Sequence, residues 1–289
     1  MKNIVSMADF SKEEIEQILF LAKDVEANPE KFSEALKGKT LAIAFFEPST
    51  RTRVGFSAAM QKLGGNVVEV YESKLSDKMS APESDEDTLR VVSDYADFVA
   101  LRHKSRDLVK NLKINSRIIN CGNGNDEHPT QTLIDLYTIL KEIGRLDNLS
   151  VAIAGDLRGM RAGHSLVLGL AKFDSIRLTL LSPKLLSMPR EYLNSEVIEK
   201  NNFEFTNEDI LYVAGFPPAK EVSEDERKSY ILNASMLRGK KTIIMNPLPR
   251  VDEIDIAIDS MQNAKYFEQS KNGLFVRMAV LLYSYQSPS

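Results

Sequence analysis

Three stretches gather the residue types that handle anions and carbonyl groups. The first is Ser49-Thr50-Arg51-Thr52-Arg53, reached through Glu47-Pro48 from the apolar run at residues 41–46. A buried strand that runs into a helix here aims a helix N-terminus at the edge of a sheet. Such a terminus carries free N–H groups and a partial positive charge, to which Ser49, Thr50 and Thr52 add hydroxyls and Arg51 a planar fork. A phosphate group suits those donors, although the same run also reads as a cap made by Ser49 or Thr50 beside solvated arginines. The second stretch is Leu101-Arg102-His103, after another β-type run, where Arg102 is a second anion clamp. The third is His128-Pro129-Thr130-Gln131 at a helix start. There a neutral histidine and a glutamine can hydrogen-bond a carbonyl oxygen and an amide, or His128 can serve as a structural cap. His103, His128 and His164 are far apart, and no Cys or carboxylate pair completes a ligand spacing, so no metal is assigned. No Ser–His or Cys–His arrangement suggests a covalent nucleophile. Cys121-Gly122-Asn123-Gly124 lacks the third glycine and following helix of a dinucleotide fingerprint.

The elements that must hold these residues alternate in type. β-type runs fall at residues 40–46, 66–71, 98–101, 117–120, 151–154, 177–181, 210–213 and 242–245, with helical stretches between them. Strands separated by helices predict parallel sheets and an α/β fold. Four strands precede residue 125 and four follow residue 150, so a helix over residues 130–144 bridges two doubly wound lobes, with a cleft between them as the expected site. The expected domains are residues 1–143, with a C-terminal helix at 272–289 docking back on them, and residues 144–271. Ser11-Lys12-Glu13-Glu14 predicts a capping box opening an amphipathic helix with Ile15, Ile18, Leu19 and Ala22 on one face. Pro217-Pro218 marks an extended polar loop.

Bulk properties exclude several classes. With 37 Lys plus Arg against 41 Asp plus Glu in 289 residues, the net charge of -4 attracts neither nucleic acid nor an anionic membrane, so an anion site must be local. One cysteine forms no internal disulfide and the N-terminus lacks a signal-peptide core, which points to a reducing cytoplasm. The apolar runs fall short of the ~20 residues of a membrane span.

The motifs together resemble the aspartate/ornithine carbamoyltransferase family over almost the whole chain. Beyond the three stretches, the resemblance rests on Gly155-Asp156-Leu157 with Arg161, on His164-Ser165-Leu166, on Asn246-Pro247-Leu248-Pro249-Arg250-Val251-Asp252-Glu253 and on Asn272-Gly273-Leu274-Phe275. The Pro-Leu-Pro-Arg ending is similar to the aspartate branch; the ornithine branch carries a His-Cys-Leu-Pro element there. The resemblance implies transfer of a carbamoyl group from carbamoyl phosphate to the amine of L-aspartate, a step of pyrimidine biosynthesis, without a cofactor. It implies that Ser49, Thr50, Arg51, Thr52 and Arg102 bind the donor's phosphate, that His128 and Gln131 hold the carbamoyl group, that Leu248 touches both substrates and that Arg161 binds aspartate. Arg51, Thr52, Arg102 and His128 are the expected catalytic donors. The resemblance also implies a homotrimer that shares active sites between neighbours, and it leaves open further regulatory or partner chains.

Five positions depart from the family pattern. The family's lysine, on a loop donated by the neighbouring subunit, falls on Ala81 in an ungapped count, in a segment with Glu83, Asp85, Glu86 and Asp87. The family's arginine and glutamine that grip the aspartate side chain fall on Gly215 and Pro217. Ala162 replaces a threonine and Asn246 a histidine. Three readings follow: an aspartate carbamoyltransferase with rearranged loops, a carbamoyltransferase for another acceptor, and a non-catalytic scaffold or regulatory relative.

Overall fold

The computed structural model describes residues 2–70, 83–193, 197–216 and 222–286. The chain falls into two compact units, Met1–Thr130 with Gly273–Ser289, and Gln131–Asn272.

In the first unit the strands β1 (Thr40–Phe45), β2 (Asn66–Val70), β3 (Phe98–His103) and β4 (Arg117–Asn123) form one parallel sheet in the order β2-β1-β3-β4. The helices α1 (Lys12–Ala27), α2 (Thr50–Lys62), α3 (Asp85–Tyr95) and α4 (Arg106–Asn111) accompany it. The central strands are apolar on both faces, as a parallel sheet covered by helices requires. Ala42 and Ala44 of β1 and Val99 and Leu101 of β3 pack with Leu89 of α3 and Val109 of α4, while the alternate residues Leu41, Ile43, Phe98 and Ala100 are buried on the opposite face. The capping box of α1 is formed as expected: the Glu14 N–H donates to Ser11 Oγ at 3.2 Å and the Ser11 N–H to Glu14 Oε2 at 3.0 Å.

The second unit holds β5 (Ser150–Ala154), β6 (Arg177–Leu181), β7 (Val197–Lys200), β8 (Ile210–Val213) and β9 (Ile243–Met245), parallel in the order β7-β6-β5-β8-β9. Its core joins Ala152, Leu211, Val213, Tyr230, Ile244 and Tyr266. Two helices carry the chain between the units, α5 (Pro129–Ile143) and α8 (Tyr266–Gln286); α6 (Arg161–Leu170) and α7 (Glu224–Ser229) belong to the second unit.

Some sequence expectations need correction. Among the described residues there are five strands after residue 150 rather than four, because β7, Val-Ile-Glu-Lys, is short and half polar and gives no apolar run. The polar loop after β8 contains α7, whose Ser223 cap accepts from the Glu226 N–H at 3.2 Å. Arg102 and His103 lie within β3 rather than after it, since a register irregularity between Leu101 and His103 lets pairing continue past the apolar run. Residues 71–82 and 217–221, which include Lys74, Lys78, Ala81, Pro217, Pro218 and Lys220, lie outside the described residues.

Both sheets change winding direction at one place, between β1 and β3 in the first unit and between β5 and β8 in the second. Open α/β sheets bind ligands outside the carboxyl ends of the strands that flank such a switch. β1 leads into Ser49–Arg53 and β3 carries Arg102, whose register partner is Phe45, the last residue of β1. β5 leads into Gly155 and β8 into Gly215. Gly155 has φ 125°, and a Cβ there would stand 2.2 Å from Ala214 O. Gly155→Ala should therefore cost ~2–5 kcal/mol, from the left-handed backbone and the contact that must open. Urea unfolding at constant m checks it, and a cost below ~0.5 kcal/mol would mean that the two strand ends part freely.

Candidate active site

The donor-type residues of the first unit are held by the start of α2 and the end of β3. Ser49 precedes α2 with an extended backbone, φ −161° and ψ 104°, and its side chain accepts no hydrogen bond from the helix. Ser11, Ser84 and Ser105 by contrast cap α1, α3 and α4 through their hydroxyls. A Ser49 cap, one of the two readings of this run, is therefore not what the structure contains. The first-turn N–H groups of α2 keep their capacity for an anion. Thr52 is buried at 6% exposure. Arg51 faces solvent, yet desolvation by the protein around it lowers its pKa, with no carboxylate acting on it. Arg53 is committed elsewhere, donating to Glu69 at 3.3 Å and lying over the Phe45 ring. Arg102 is half-buried; it donates to Cys121 O at 3.3 Å and stands 3.7 Å from the Glu47 carboxylate.

Sequence reasoning missed the cation behind α2. Arg277 of α8 is buried, and a Cβ at Gly55 would meet its Nη1 at 2.6 Å. Its guanidinium lies 5.7 Å from the Phe56 ring, and its Nε has no hydrogen-bond partner among the described residues. Burial pushes its pKa down to about 10, and Arg51 pushes it the same way. It stays charged at neutral pH and adds to the positive field beneath the first turns of α2.

His128 is buried just before α5, with the Thr130 hydroxyl 3.2 Å from Nδ1. When that hydroxyl donates, the imidazole proton sits on Nε2. His103 is structural, because its Nδ1 accepts from the Ser105 N–H at 2.9 Å and its Nε2 therefore carries the proton that Asp85 receives at 2.8 Å. His164 is structural too, its Nε2 bonding Leu157 O at 2.8 Å and its ring stacked on Tyr192 at 4.1 Å. Cys121 is fully buried and burial pushes its thiol up to about 12, which removes it as a nucleophile. Among the described residues no cluster of His, Cys, Asp or Glu is arranged to hold a metal ion, and no helix is long and apolar enough to cross a membrane.

In the second unit, Gln131 begins a chain of buried polar contacts. Its Nε2 donates to Asp135 Oδ1 at 2.8 Å, and Gln269 Nε2 donates to the same oxygen at 2.6 Å. Gln269 Oε1 accepts from the Asn246 N–H at 3.0 Å, and Asn246 Oδ1 accepts from the Leu248 N–H at 2.6 Å. Leu248, with φ 53°, precedes a cis peptide bond to Pro249. Neither Asp135 nor Gln269 stands out in the sequence, since a buried polar residue inside a helix leaves no local pattern.

The turn between β5 and α6 is shaped by Asp156, whose Oδ1 accepts from the N–H groups of Arg158 and Gly159, each at 3.2 Å. Arg161 is the first residue of α6 and Ala162 is buried beside it. Gly215 is half-buried, and an ideal Cβ there faces Glu253 Oε1 at 3.5 Å. Glu253 is itself buried and accepts from Asn246 Nδ2 at 3.0 Å and from the N–H groups of Val251 at 2.9 Å and Asp252 at 3.2 Å. The position that the resemblance assigns to an acceptor-binding cation thus adjoins a carboxylate. Arg250 is bound to Asp259 and Tyr266.

Comparison with known proteins covers both units. The family model for the aspartate/ornithine carbamoyltransferase carbamoyl-P binding domain matches residues 2–141, and that for the Asp/Orn binding domain matches residues 147–284. The aspartate carbamoyltransferase catalytic subunit of Methanocaldococcus jannaschii is 44% identical over 97% of this chain and 97% of its own length. The crystal structure of the M. jannaschii aspartate transcarbamoylase catalytic subunit superposes with a TM-score of 0.88 at 42% identity, covering 98% of this chain and 97% of that one. The Trypanosoma cruzi aspartate transcarbamoylase in complex with carbamoyl aspartate and phosphate gives a TM-score of 0.91 at 31% identity, covering 98% and 95%.

Proposed function

Because the chain belongs to the aspartate/ornithine carbamoyltransferase family, we propose that it transfers the carbamoyl group of carbamoyl phosphate to the amine of L-aspartate, giving N-carbamoyl-L-aspartate and phosphate. The observation that carries this reading is the free N-terminus of α2, with Arg51 on it and Arg102 across from the end of β1, at the winding switch of the first sheet. It is a phosphate-type site whose donors are not used up by a cap.

Residues 1–143 with 272–289 serve the donor in this proposal, and residues 144–271 the acceptor. The phosphate is received by the first-turn N–H groups of α2, the hydroxyls of Ser49, Thr50 and Thr52, and the guanidinium groups of Arg51 and Arg102. His128 donates from Nε2 to the carbonyl oxygen, Gln131 accepts from the carbamoyl amide, Leu248 contacts both substrates through its backbone, and Arg161 binds an aspartate carboxylate. The neutral α-amine of aspartate attacks the carbonyl carbon, negative charge grows on the carbonyl oxygen, the C–O bond to phosphate breaks, and the departing phosphate takes up the proton the amine sheds. Donors fixed in advance on the oxygen and on the leaving group stabilise that charge more than they stabilise the substrate. The thiol pKa of Cys121, about 12, agrees with direct attack rather than a covalent intermediate. A homotrimer with active sites completed by neighbouring subunits, and a cytoplasmic location, belong to the same proposal.

The direct test supplies carbamoyl phosphate with L-aspartate, L-ornithine or a panel of other amino acids and follows the carbamoylated product and phosphate. Product with L-aspartate alone is expected. Gly215 beside Glu253 favours a second reading, a relative with another acceptor or none, and product only with a different amine, or with none, would establish it. Inorganic phosphate should bind in calorimetry regardless, because α2 and Arg102 do not depend on the altered positions. Folded protein that gives no heat at millimolar phosphate would rule out the donor site.

A further inference from the structure

The polar chain through Asp135 has a fixed direction. A backbone N–H can only donate, so the amide of Asn246 dictates that Gln269 presents Oε1 to it. Gln269 therefore turns its Nε2 to Asp135, at 2.6 Å. As a carboxylate Oδ1 can only accept, so Gln131 also turns its Nε2 inward, at 2.8 Å. The one polar atom left on the half-buried Gln131 side chain is its carbonyl oxygen, which accepts no hydrogen bond among the described residues. The other end of the chain is Leu248, whose N–H reaches Asn246 Oδ1 at 2.6 Å. Two of the proposed substrate contacts, Gln131 and Leu248, thus belong to one set of hydrogen bonds that runs through Asp135, Gln269 and Asn246.

We propose that Asp135 is the positioning residue of the carbamoyl site. By accepting from Gln131 and Gln269 at one oxygen it locks the Gln131 amide with its carbonyl oxygen outward, ready for the N–H of the carbamoyl group, and ties that orientation to the Leu248 turn. This rests on the carbamoyl-transfer reading above. Without the acid, the Gln131 amide is free to rotate and present N–H groups to a ligand N–H, a donor facing a donor. Phosphate binding at α2 does not involve this chain.

The second oxygen of Asp135 shows what a replacement must supply. Asp135 Oδ2 and the Tyr212 hydroxyl are both buried beside each other, and neither has a well-aligned hydrogen-bond partner among the described residues. Burial pushes the Asp135 carboxyl up to about 7, so at neutral pH it exists in both forms. The Tyr212 hydroxyl acts on the carboxyl as a donor would, holding its pKa down against burial, and Oδ1 accepts from both glutamines whether or not Oδ2 carries a proton. Asparagine reproduces the protonated arrangement, with its carbonyl toward the glutamines and its NH₂ toward Tyr212. Leucine keeps the volume and removes both functions.

The test compares wild type with Asp135→Asn, Asp135→Leu, Gln131→Ala and the Asp135→Leu/Gln131→Ala double variant, in steady-state assays with carbamoyl phosphate and in calorimetry with inorganic phosphate. Asp135→Leu and Gln131→Ala should each raise KM for carbamoyl phosphate about 10- to 100-fold with Kd for phosphate changed less than about twofold, Asp135→Asn should stay within about threefold of wild type, and the double variant should be no worse than either single one. An Asp135→Leu protein with unchanged KM, with phosphate and carbamoyl phosphate weakened alike, or with losses that multiply in the double variant would overturn the positioning role. Should Asp135→Leu not fold, Asp135→Ala removes the same acceptor with less bulk and must show the same separation of the two ligands. Wild-type protein that binds phosphate but neither binds nor turns over carbamoyl phosphate overturns the carbamoyl-transfer reading and this inference with it; wild type that turns it over beside an unaffected Asp135→Leu overturns this inference alone.

Discussion

Replacing Arg51 with alanine is expected to lower kcat/KM for carbamoyl phosphate by ~30- to 1000-fold, or ~2–4 kcal/mol, the size of one charge-assisted donor in a partly desolvated site. Among the described residues the side chain has no hydrogen-bond or ion-pair partner to lose, and desolvation by burial lowers its pKa. The substitution should therefore leave the unfolding midpoint nearly unchanged, which separates a binding role from a folding role. Arg51→Lys keeps a charge but not the fork, so it should recover only part of the loss. Arg53→Ala is the control two residues along, since Arg53 is held by Glu69 at 3.3 Å and should affect turnover far less. Equal losses at Arg51 and Arg53 would contradict this assignment and indicate that general positive charge on α2 is what matters.

The second large effect concerns the acceptor. The double substitution Ala81→Lys with Gly215→Arg should raise kcat/KM for L-aspartate by ~10³- to 10⁴-fold, from a wild-type value below the ordinary ~10⁴ M⁻¹s⁻¹. A substrate carboxylate that lacks a bidentate arginine loses ~1.5–3 kcal/mol, and a missing lysine on the transition state ~3 kcal/mol more, if the two are roughly additive. Among the described residues the atom nearest to a Cβ at Gly215 is Glu253 Oε1 at 3.5 Å, an ordinary contact, so the position accepts a side chain. Glu253 is already held by Asn246 Nδ2 and two backbone N–H groups, so it has little free capacity to capture the new guanidinium. A wild-type protein that turns over aspartate at the ordinary rate would sink the claim. It would place the missing charge on another residue, with Lys74, Lys78 and Lys220 the candidates, all outside the described residues. A double variant with no gain would instead mean that the acceptor side has diverged beyond two charges.

What is legible in the sequence follows from which forces leave local traces. The parallel strands read well because they are buried on both faces and must be apolar along their length, as β5 and β8 are buried at every residue. β7 escapes for the opposite reason: its pattern is half exposed, and Glu199 and Lys200 carry no strand signal. The helix α8 starts at Tyr266, earlier than the expected 272, because Glu268, Gln269, Lys271 and Asn272 look like loop. Two of these are in fact buried, Gln269 donating to Asp135 and Asn272 to Thr138. The proposed anion site at Ser49–Arg53 is legible because a helix start and its donors are consecutive. The residues behind it are not: Arg277 and Asp135 act on Arg51 and Gln131 through the fold, and no spacing in the sequence announces such a contact. Ala81 and Pro217 are known from the sequence alone.

The single thiol among 289 residues has a use apart from chemistry at the site. Cys121 sits inside β4 of the first unit, out of reach of solvent and with its proton held so firmly that the reactive thiolate scarcely forms while the sheet is closed. A thiol reagent can tag the chain only during the moments when that strand comes loose, so the tagging rate is a clock that counts excursions of the first unit out of its native state. Run with and without phosphate, the clock would weigh how strongly an anion at the helix start steadies the sheet behind it, and it would do so in protein that catalyses nothing at all.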